Sequence, residues 1–303
     1  MNLQEVFYGA EDLISPGLSA CPGCAGELTM RTVMKIMGKN TILGVPPGCM
    51  AGAGVVGWNR LSGAKVPITI PLLDNTASML AGIRRYYQSQ GRNDVRVVAF
   101  AGDGATADAG FQALSGAAER GENIIYICYD NEGYMNTGFQ RSGTSSKGSN
   151  TSTTPVGAMR KGKAQHKKDL PLLLAMHNAA YVATVSPAYV QDFVRKIEKA
   201  KEVTCGLAYI HVLSPCPTGW WFDPKDTIKL ARLAVQTNFF PLYEYEDGRF
   251  YQTVSVKQAK PVQEFVSRLG KFKHLDQEAI ADLQQWTDRR ANLLQRLCAE
   301  SPA

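Results

Sequence analysis

Four cysteines sit in turns built from glycine and proline. Cys21 and Cys24 belong to Cys21-Pro22-Gly23-Cys24, Cys49 follows Gly48, and Cys216 lies between Pro215 and Pro217. Such turns leave backbone N–H groups free to point at sulfur, and thiolate sulfur is a donor for soft metals. Three ligands close in sequence and one distant fit a single metal centre. Cys-x-x-Cys alone also marks zinc sites and redox dithiols. No second Cys-x-x-Cys completes a zinc ribbon, while a helix-like stretch after Cys24 suits a thioredoxin-type pair. A [4Fe–4S] cluster, which takes four thiolates, stands beside these alternatives. Cys128, in the apolar run Ile124–Tyr129, and Cys205 and Cys298 read as ordinary core or surface cysteines.

A second constellation is Gly102-Asp103-Gly104-Ala105-Thr106 after one strand-like run, with Asn131 at the end of the next. A strand that ends in Gly-Asp-Gly and leads into a helix puts a carboxylate at the C-terminal edge of a parallel sheet, where ligands bind in such folds. The glycines let a diphosphate approach the backbone. Asp103 supplies oxygen to a hard divalent cation, and the Asn131 amide oxygen completes the coordination. Asp and Asn one βα unit apart form the pattern in which Mg²⁺ ties thiamine diphosphate to a protein.

Parallel strands must carry these loops. Residues 41–45, 95–100, 123–128, 181–185 and 207–212 are short, β-branched and nearly continuous in apolar character, as strands covered on both faces should be. Helical patterns span about 25–38, 75–90, 107–119, 169–179 and 187–201. The alternation predicts a three-layer, doubly wound α/β fold with a parallel sheet. Residues 138–168 are rich in Ser, Thr, Gly and Lys and predict a long functional loop. Past Trp221 come a helix, a hairpin over 243–251 and a terminal helix over about 276–299. That pattern divides the chain into a binding domain, 1–222, and a C-terminal helical arm, 223–303.

Composition narrows the function classes. The 303 residues are 45% hydrophobic, enough for a substantial core. No apolar run reaches the roughly 18 residues of a membrane span. The N-terminal segment lacks signal-peptide character, and seven cysteines then point to a reducing cytoplasm. The net charge of +6 gathers partly in Arg160–Lys168, read as a solvated loop or a docking surface for an acidic partner. No aromatic residues interleave these bases, which disfavours nucleic acid.

Taken together, Cys21-Pro-Gly-Cys24, Gly48-Cys49, Gly102–Asp108, Tyr129–Gly138, Gln140–Gly143 and Cys216–Trp220 resemble the thiamine-diphosphate-binding β subunit of the 2-oxoacid:ferredoxin oxidoreductases, nearest the pyruvate branch. The likeness runs from about residue 15 to 275. It implies a [4Fe–4S] cluster on Cys21, Cys24, Cys49 and Cys216, and Mg²⁺ held by Asp103, Asn131 and the Gly133 carbonyl. It further implies a diphosphate bound around Gly102, Gly104 and Thr106, and Asn136 beside the reacting carbonyl. The implied reaction is CoA-dependent oxidative decarboxylation of a 2-oxo acid, pyruvate first. The implied partners are an α subunit bearing the pyrimidine-activating glutamate, a γ subunit, a ferredoxin-like δ subunit and an external acceptor such as ferredoxin.

Three departures bear on the site. Cys24-Ala25-Gly26-Glu27 carries one residue more than the family's usual Cys-Gly-Glu, and Glu27 is still expected to reach the cofactor. Pro71-Leu72-Leu73-Asp74-Asn75 replaces a Ser-Leu-Phe-type stretch, with Asn75 expected near the cofactor, and Met50–Trp58 is small and Gly-rich. The last two segments lie near the expected mouth of the site and admit another 2-oxo acid, such as an aryl glyoxylate or oxalate. Two other classes stay open: a non-redox thiamine-diphosphate decarboxylase or synthase half, and a zinc-stabilised binding module.

Overall fold

Hydrophobic alternation of period two decides which helix covers which face of the sheet. The structure is a computed structural model that describes residues 3–52 and 63–300. Its strands are β1 (Thr41–Gly44), β2 (Ile68–Thr69), β3 (Arg96–Gly102), β4 (Ile125–Asp130), β5 (Val156–Gly157), β6 (Arg160–Lys161), β7 (Tyr181–Val185), β8 (Ala208–Leu213), β9 (Tyr243–Glu246) and β10 (Arg249–Gln252). Eight of them form one sheet in the order β10-β9-β7-β8-β4-β3-β1-β2, and β5 and β6 make a separate ribbon. From β7 to β2 all neighbours are parallel; β9 is antiparallel to β7, and β10 to β9.

On one face, Val98, Phe100, Ile125, Ile127, Ile210 and Val212 pack against α1 (Ala25–Met37) and α5 (Val190–Glu202). On the other, Val97, Ala99, Ala101, Tyr126, Cys128 and Tyr209 meet α2 (Thr76–Ser89), α3 (Phe111–Glu119) and α4 (Leu170–Ala175). Each large apolar side chain so buried contributes on the order of 1.5–3 kcal/mol. The three layers expected from the βαβ alternation are therefore present, with an antiparallel pair added at one edge.

The C-terminal segment is built in more deeply than an arm implies. β9 joins the main sheet beside β7, so hydrogen bonding crosses the expected boundary at residue 222. Phe239, Phe265 and Leu283 pack with Trp220 and Leu213 in a third apolar cluster. That cluster engages α6 (Pro217–Trp220), α7 (Thr227–Gln236), α8 (Gln263–Val266) and the terminal helix α9 (Gln277–Glu300). No helix among the described residues is long and apolar enough to cross a membrane.

One consequence of the topology positions all the chemistry. The loops after β1, β3, β4 and β8 leave the same edge of four adjacent strands. They carry, in turn, Cys49, Asp103, Asn131 with Asn136, and Cys216. The two cysteine loops thus flank the two oxygen-bearing loops.

Candidate cofactor and metal site

Asp103 follows β3 directly and is wholly buried. Its Oδ2 accepts hydrogen bonds from the Ser142 hydroxyl and from Thr144 Oγ1, the latter at 2.9 Å. Its Oδ1 faces the Asn131 side-chain amide at 2.8 Å, and that same amide atom lies 2.8 Å from the Gly133 carbonyl oxygen. With nitrogen inward, Asn131 donates to both. With oxygen inward, it stands 2.8 Å from both the Asp103 and the Gly133 oxygens, close to the edge of an octahedron whose metal–oxygen bonds are about 2.0–2.1 Å. The donor set of carboxylate, amide and carbonyl oxygen fits Mg²⁺. Gly104 lets the Tyr134 ring lie against the backbone, since a Cβ there would come 2.5 Å from it.

Burial, aided by the charge of Asp130, pushes the Asp103 carboxyl well above the ordinary carboxylate range, against the pull of the Ser142 and Thr144 hydroxyls. A divalent cation at the three oxygens would offset both causes. Asp130 stands close by, its Oδ1 2.8 Å from the same Thr144 hydroxyl and its Oδ2 3.0 Å from His211 Nε2.

The loop over 138–168 supplies the hydroxyls. Its Ser142, Thr144, Ser145, Ser146, Ser149 and Thr151 are buried, which their polarity alone would forbid. Carboxylates beneath take three of them, Ser142, Thr144 and Ser146, while Ser145 donates to the Glu132 carbonyl. Glu132, at φ +62°, is buried against Lys271 Nζ at 2.5 Å, Lys167 Nζ at 3.2 Å and Ser146 Oγ at 2.8 Å. Two of the five Lys and Arg side chains of the basic run, Lys163 and Lys167, are therefore internal, contrary to its reading as a solvated loop. Lys167 pairs with Glu132, and Lys163 donates to the Ser145 carbonyl at 2.5 Å, its ammonium pulled down to about 8 by burial.

Burial alone would raise the Glu132 carboxyl, but Lys271 and Lys167 overcome it and hold it down at about 2. A depressed carboxyl contributes stability above its unfolded value, lost as pH falls through the folded one. Glu132→Gln leaves Lys271 without its partner and is expected to cost roughly 3–5 kcal/mol at neutral pH. The gap in unfolding free energy between native and variant chains should narrow as pH drops below the ordinary carboxylate range toward about 2. A gap constant over that interval in pH-dependent denaturant titrations would contradict the pairing.

Cys21, Cys24, Cys49 and Cys216 line one cavity of about 660 Å³. Cys24 stands at the N-cap position of α1 without a side-chain capping hydrogen bond. Cys216 caps α6 and accepts from the Gly219 N–H at 3.3 Å. Gly23, at φ +70°, closes the Cys21–Cys24 turn against Pro224, where a Cβ would lie 2.6 Å from the carbonyl oxygen. Burial first, then the neighbouring sulfurs, push the Cys49 thiol up to about 12; burial raises Cys216 to about 11, again with the other sulfurs adding to it. Without a cation among them these groups stand as neutral thiols. Among the described residues no three His, Cys, Asp or Glu side chains close on a single ion position.

A second cavity of about 110 Å³ adjoins the first, sharing Cys49, Tyr129, Asn131, Met135 and Asn136 and adding Gly102, Gly104 and Gly133. Asn136 therefore faces both. Other expected residues stand elsewhere. The Thr106 hydroxyl, expected on the diphosphate, donates to the Gly102 carbonyl at 2.8 Å and sits buried near Tyr126. Glu27, expected at the cofactor, turns its carboxylate to Arg31, which also binds Asp12 and the Ile14 and Ser15 carbonyls. Asn75 starts α2 and lines neither cavity, although its Oδ1 is buried without a partner. Leu72 is exposed, Leu73 lines the smaller cavity and Met50 the larger. Residues 53–58 of the Met50–Trp58 segment lie outside the described residues. Sequence reasoning missed Ser142, Thr144, Tyr129 and His211; the hydroxyl-rich run after Arg141 was the signal for the first two.

An α/β sheet edge that gathers glycines, a buried Asp and an Asn one βα unit later defines a thiamine-diphosphate-binding domain. Residues 72–212 match the thiamine pyrophosphate enzyme family, C-terminal TPP binding domain. The chain is 46% identical over 282 residues to pyruvate synthase subunit PorB of Methanothermobacter thermautotrophicus, covering 92% of this chain and 96% of that one. It is 47% identical over 290 residues to the NADH-dependent phenylglyoxylate dehydrogenase subunit beta of Aromatoleum evansii, covering 95% of this chain and 65% of that protein's length. The 2-oxoglutarate:ferredoxin oxidoreductase of Magnetococcus marinus shares the fold, with a TM-score of 0.60 and 21% identity over 92% of this chain and 90% of that one. The chain belongs to the thiamine-diphosphate-binding β subunits of the 2-oxoacid:ferredoxin oxidoreductases.

Proposed function

We propose that this chain is the Mg²⁺–thiamine-diphosphate and [4Fe–4S] subunit of a complex that converts a 2-oxo acid and coenzyme A to acyl-CoA and CO₂, with electrons leaving through iron–sulfur centres. The observation that carries the reading is the order of loops along one sheet edge, with Cys49 and Cys216 outside and Asp103 and Asn131–Asn136 inside. Asp103, Asn131 and Gly133 would hold Mg²⁺, with the glycines at 102 and 104 beside the diphosphate. Cys21, Cys24, Cys49 and Cys216 would hold the cluster. When bound, thiamine diphosphate supplies the electron sink for loss of CO₂, and the cluster accepts the electrons that make the outcome oxidative. Partner subunits of the α, γ and ferredoxin-like δ kinds would complete the pyrimidine and coenzyme A sites and carry electrons to an external acceptor in the cytoplasm.

Asn136 would hydrogen-bond the substrate, a role supported by its position in the lining of both cavities. Loss of a donor aimed at developing charge lowers turnover by roughly 10²-fold or more. Asn136→Ala should therefore depress turnover of every accepted 2-oxo acid by similar factors; a change of preference alone, with the best substrate's kcat intact, would remove Asn136 from this role.

Pyruvate is the first choice of substrate, on the resemblance as a whole. A second reading, an aryl-substituted 2-oxo acid, is favoured by Phe139 and Trp221 in the larger cavity, their rings edge-to-face at 6.4 Å. The discriminating experiment gives the purified complex pyruvate, 2-oxoglutarate, branched-chain 2-oxo acids, phenylglyoxylate and oxalate, with coenzyme A and a viologen acceptor. Reduction of the viologen by none of them would refute the proposed activity.

A further inference from the structure

Two buried contacts tie the loop after β4 to the turn that carries Cys216. The first is a hydrogen bond from Trp220 Nε1 to the Asn131 carbonyl oxygen at 2.7 Å. Trp220 is fully buried, and its backbone N–H donates to the Cys216 carbonyl at 2.8 Å. The same residue therefore ends the thiol-bearing turn and holds the chain beside the three converging oxygens. The second contact is steric. Met135 packs so closely on Gly219 that a Cβ there would lie 2.2 Å from its sulfur. Gly219 is also the donor to Cys216 Sγ, and Met135 lies between Gly133 and Asn136.

The Trp220 ring is fixed on its other sides as well. Lys271 Nζ lies 3.9 Å from its centroid and binds Glu132, the residue after Asn131, while Phe222 and Phe265 meet the ring edge-on. An ammonium over an indole face adds attraction of its own. The ring thus cannot tilt without disturbing a buried ion pair. A shift of Cys216 away from the cavity would have to break the indole bond to Asn131 or drag Asn131 with it, and a buried bond left unmade carries its full desolvation cost.

We infer that Trp220 is a positioning residue that couples the Mg²⁺–diphosphate loop to the thiol loop, so that each group is held more tightly when the other is in place. The inference rests on the functional reading above. By linkage the coupling factor must be the same measured from either site.

The test uses the whole complex. The dissociation constant of thiamine diphosphate with Mg²⁺ is measured by titration calorimetry with iron present and after removal of iron by a chelator, for the native complex and for Trp220→Phe. Phenylalanine keeps an aromatic ring under Lys271 and deletes the N–H. Iron removal is expected to weaken cofactor binding in the native complex by about fivefold or more, the lower range of allosteric couplings, and to have a clearly smaller effect in Trp220→Phe. An equal effect in both overturns the inference. Should the variant fail to assemble, the native complex still decides. Mg²⁺ and thiamine diphosphate should slow iron release to a chelator, and identical release rates with and without them overturn it. Failure of the parent reading looks different, because a complex that binds no iron or no thiamine diphosphate would show it in the first titration.

Discussion

Cys216→Ala is expected to abolish both iron retention and 2-oxo acid oxidation. The other three thiols of the cavity come from the first part of the chain, and Cys216 alone arrives from the far side of the sheet on the loop after β8. A cubane centre takes four thiolates. Three leave one iron without a protein ligand in a cavity that opens past Ser19, Thr218 and Trp221. The N–H of Gly219 also loses its acceptor. Iron and acid-labile sulfide per chain, with the visible absorbance of the cluster, give the readout. Cys205→Ser, at an exposed position, should keep full iron and serves as the control. Full iron content in Cys216→Ala would sink the ligand assignment.

Asp103→Asn should lower the affinity for thiamine diphosphate and Mg²⁺ by about tenfold or more, as for loss of a charge-assisted contact. Asparagine fills the same space, and its oxygen can still accept from Ser142 and Thr144. What disappears is the one carboxylate among the three converging oxygens. The same change removes a buried acid set close to Asp130, whose charge Asp103 feels unfavourably. The cofactor-free variant should therefore melt no lower than the native chain. The opposed effects separate a lost binding site from a damaged fold. Cofactor retention equal to native after dialysis would count against the cation site, and a lower melting temperature would mean that the acid also serves the fold.

Much of the frame was legible because it is local. Runs such as Val95–Phe100 and Ile124–Cys128 hold β-branched residues between turn formers, and they became β3 and β4 within a residue or two. The four loops followed from them. What failed was side-chain direction. Glu27 and Thr106 sit in the first turns of helical segments, where one position of rotation decides between pocket and interior. The Arg31 four residues after Glu27 was a readable sign of an ion pair along the helix. Lys163 and Lys167 misled for a different reason. Whether a basic residue is solvated depends on acceptors brought in by tertiary structure: Glu132, on another loop, for Lys167, and the Gly143 and Ser145 carbonyls for Lys163. The hairpin over 243–251 was visible as a hairpin, but nothing within it specified β7 as its neighbour.

The strand order also works as a ruler. Neighbouring strands lie about 4.8 Å apart, so β8 and β1, the outer two of the four, stand only about 14 Å from each other. A reacting centre seated over β3 and β4 is within about one or two strand widths of a thiol on either side. On the proposed reading, an electron leaving that centre would need no internal wire for its first hop, because pleated-sheet geometry sets the gap between the two sites. Loops above the edge could differ among relatives named for pyruvate and for phenylglyoxylate while that gap keeps its length.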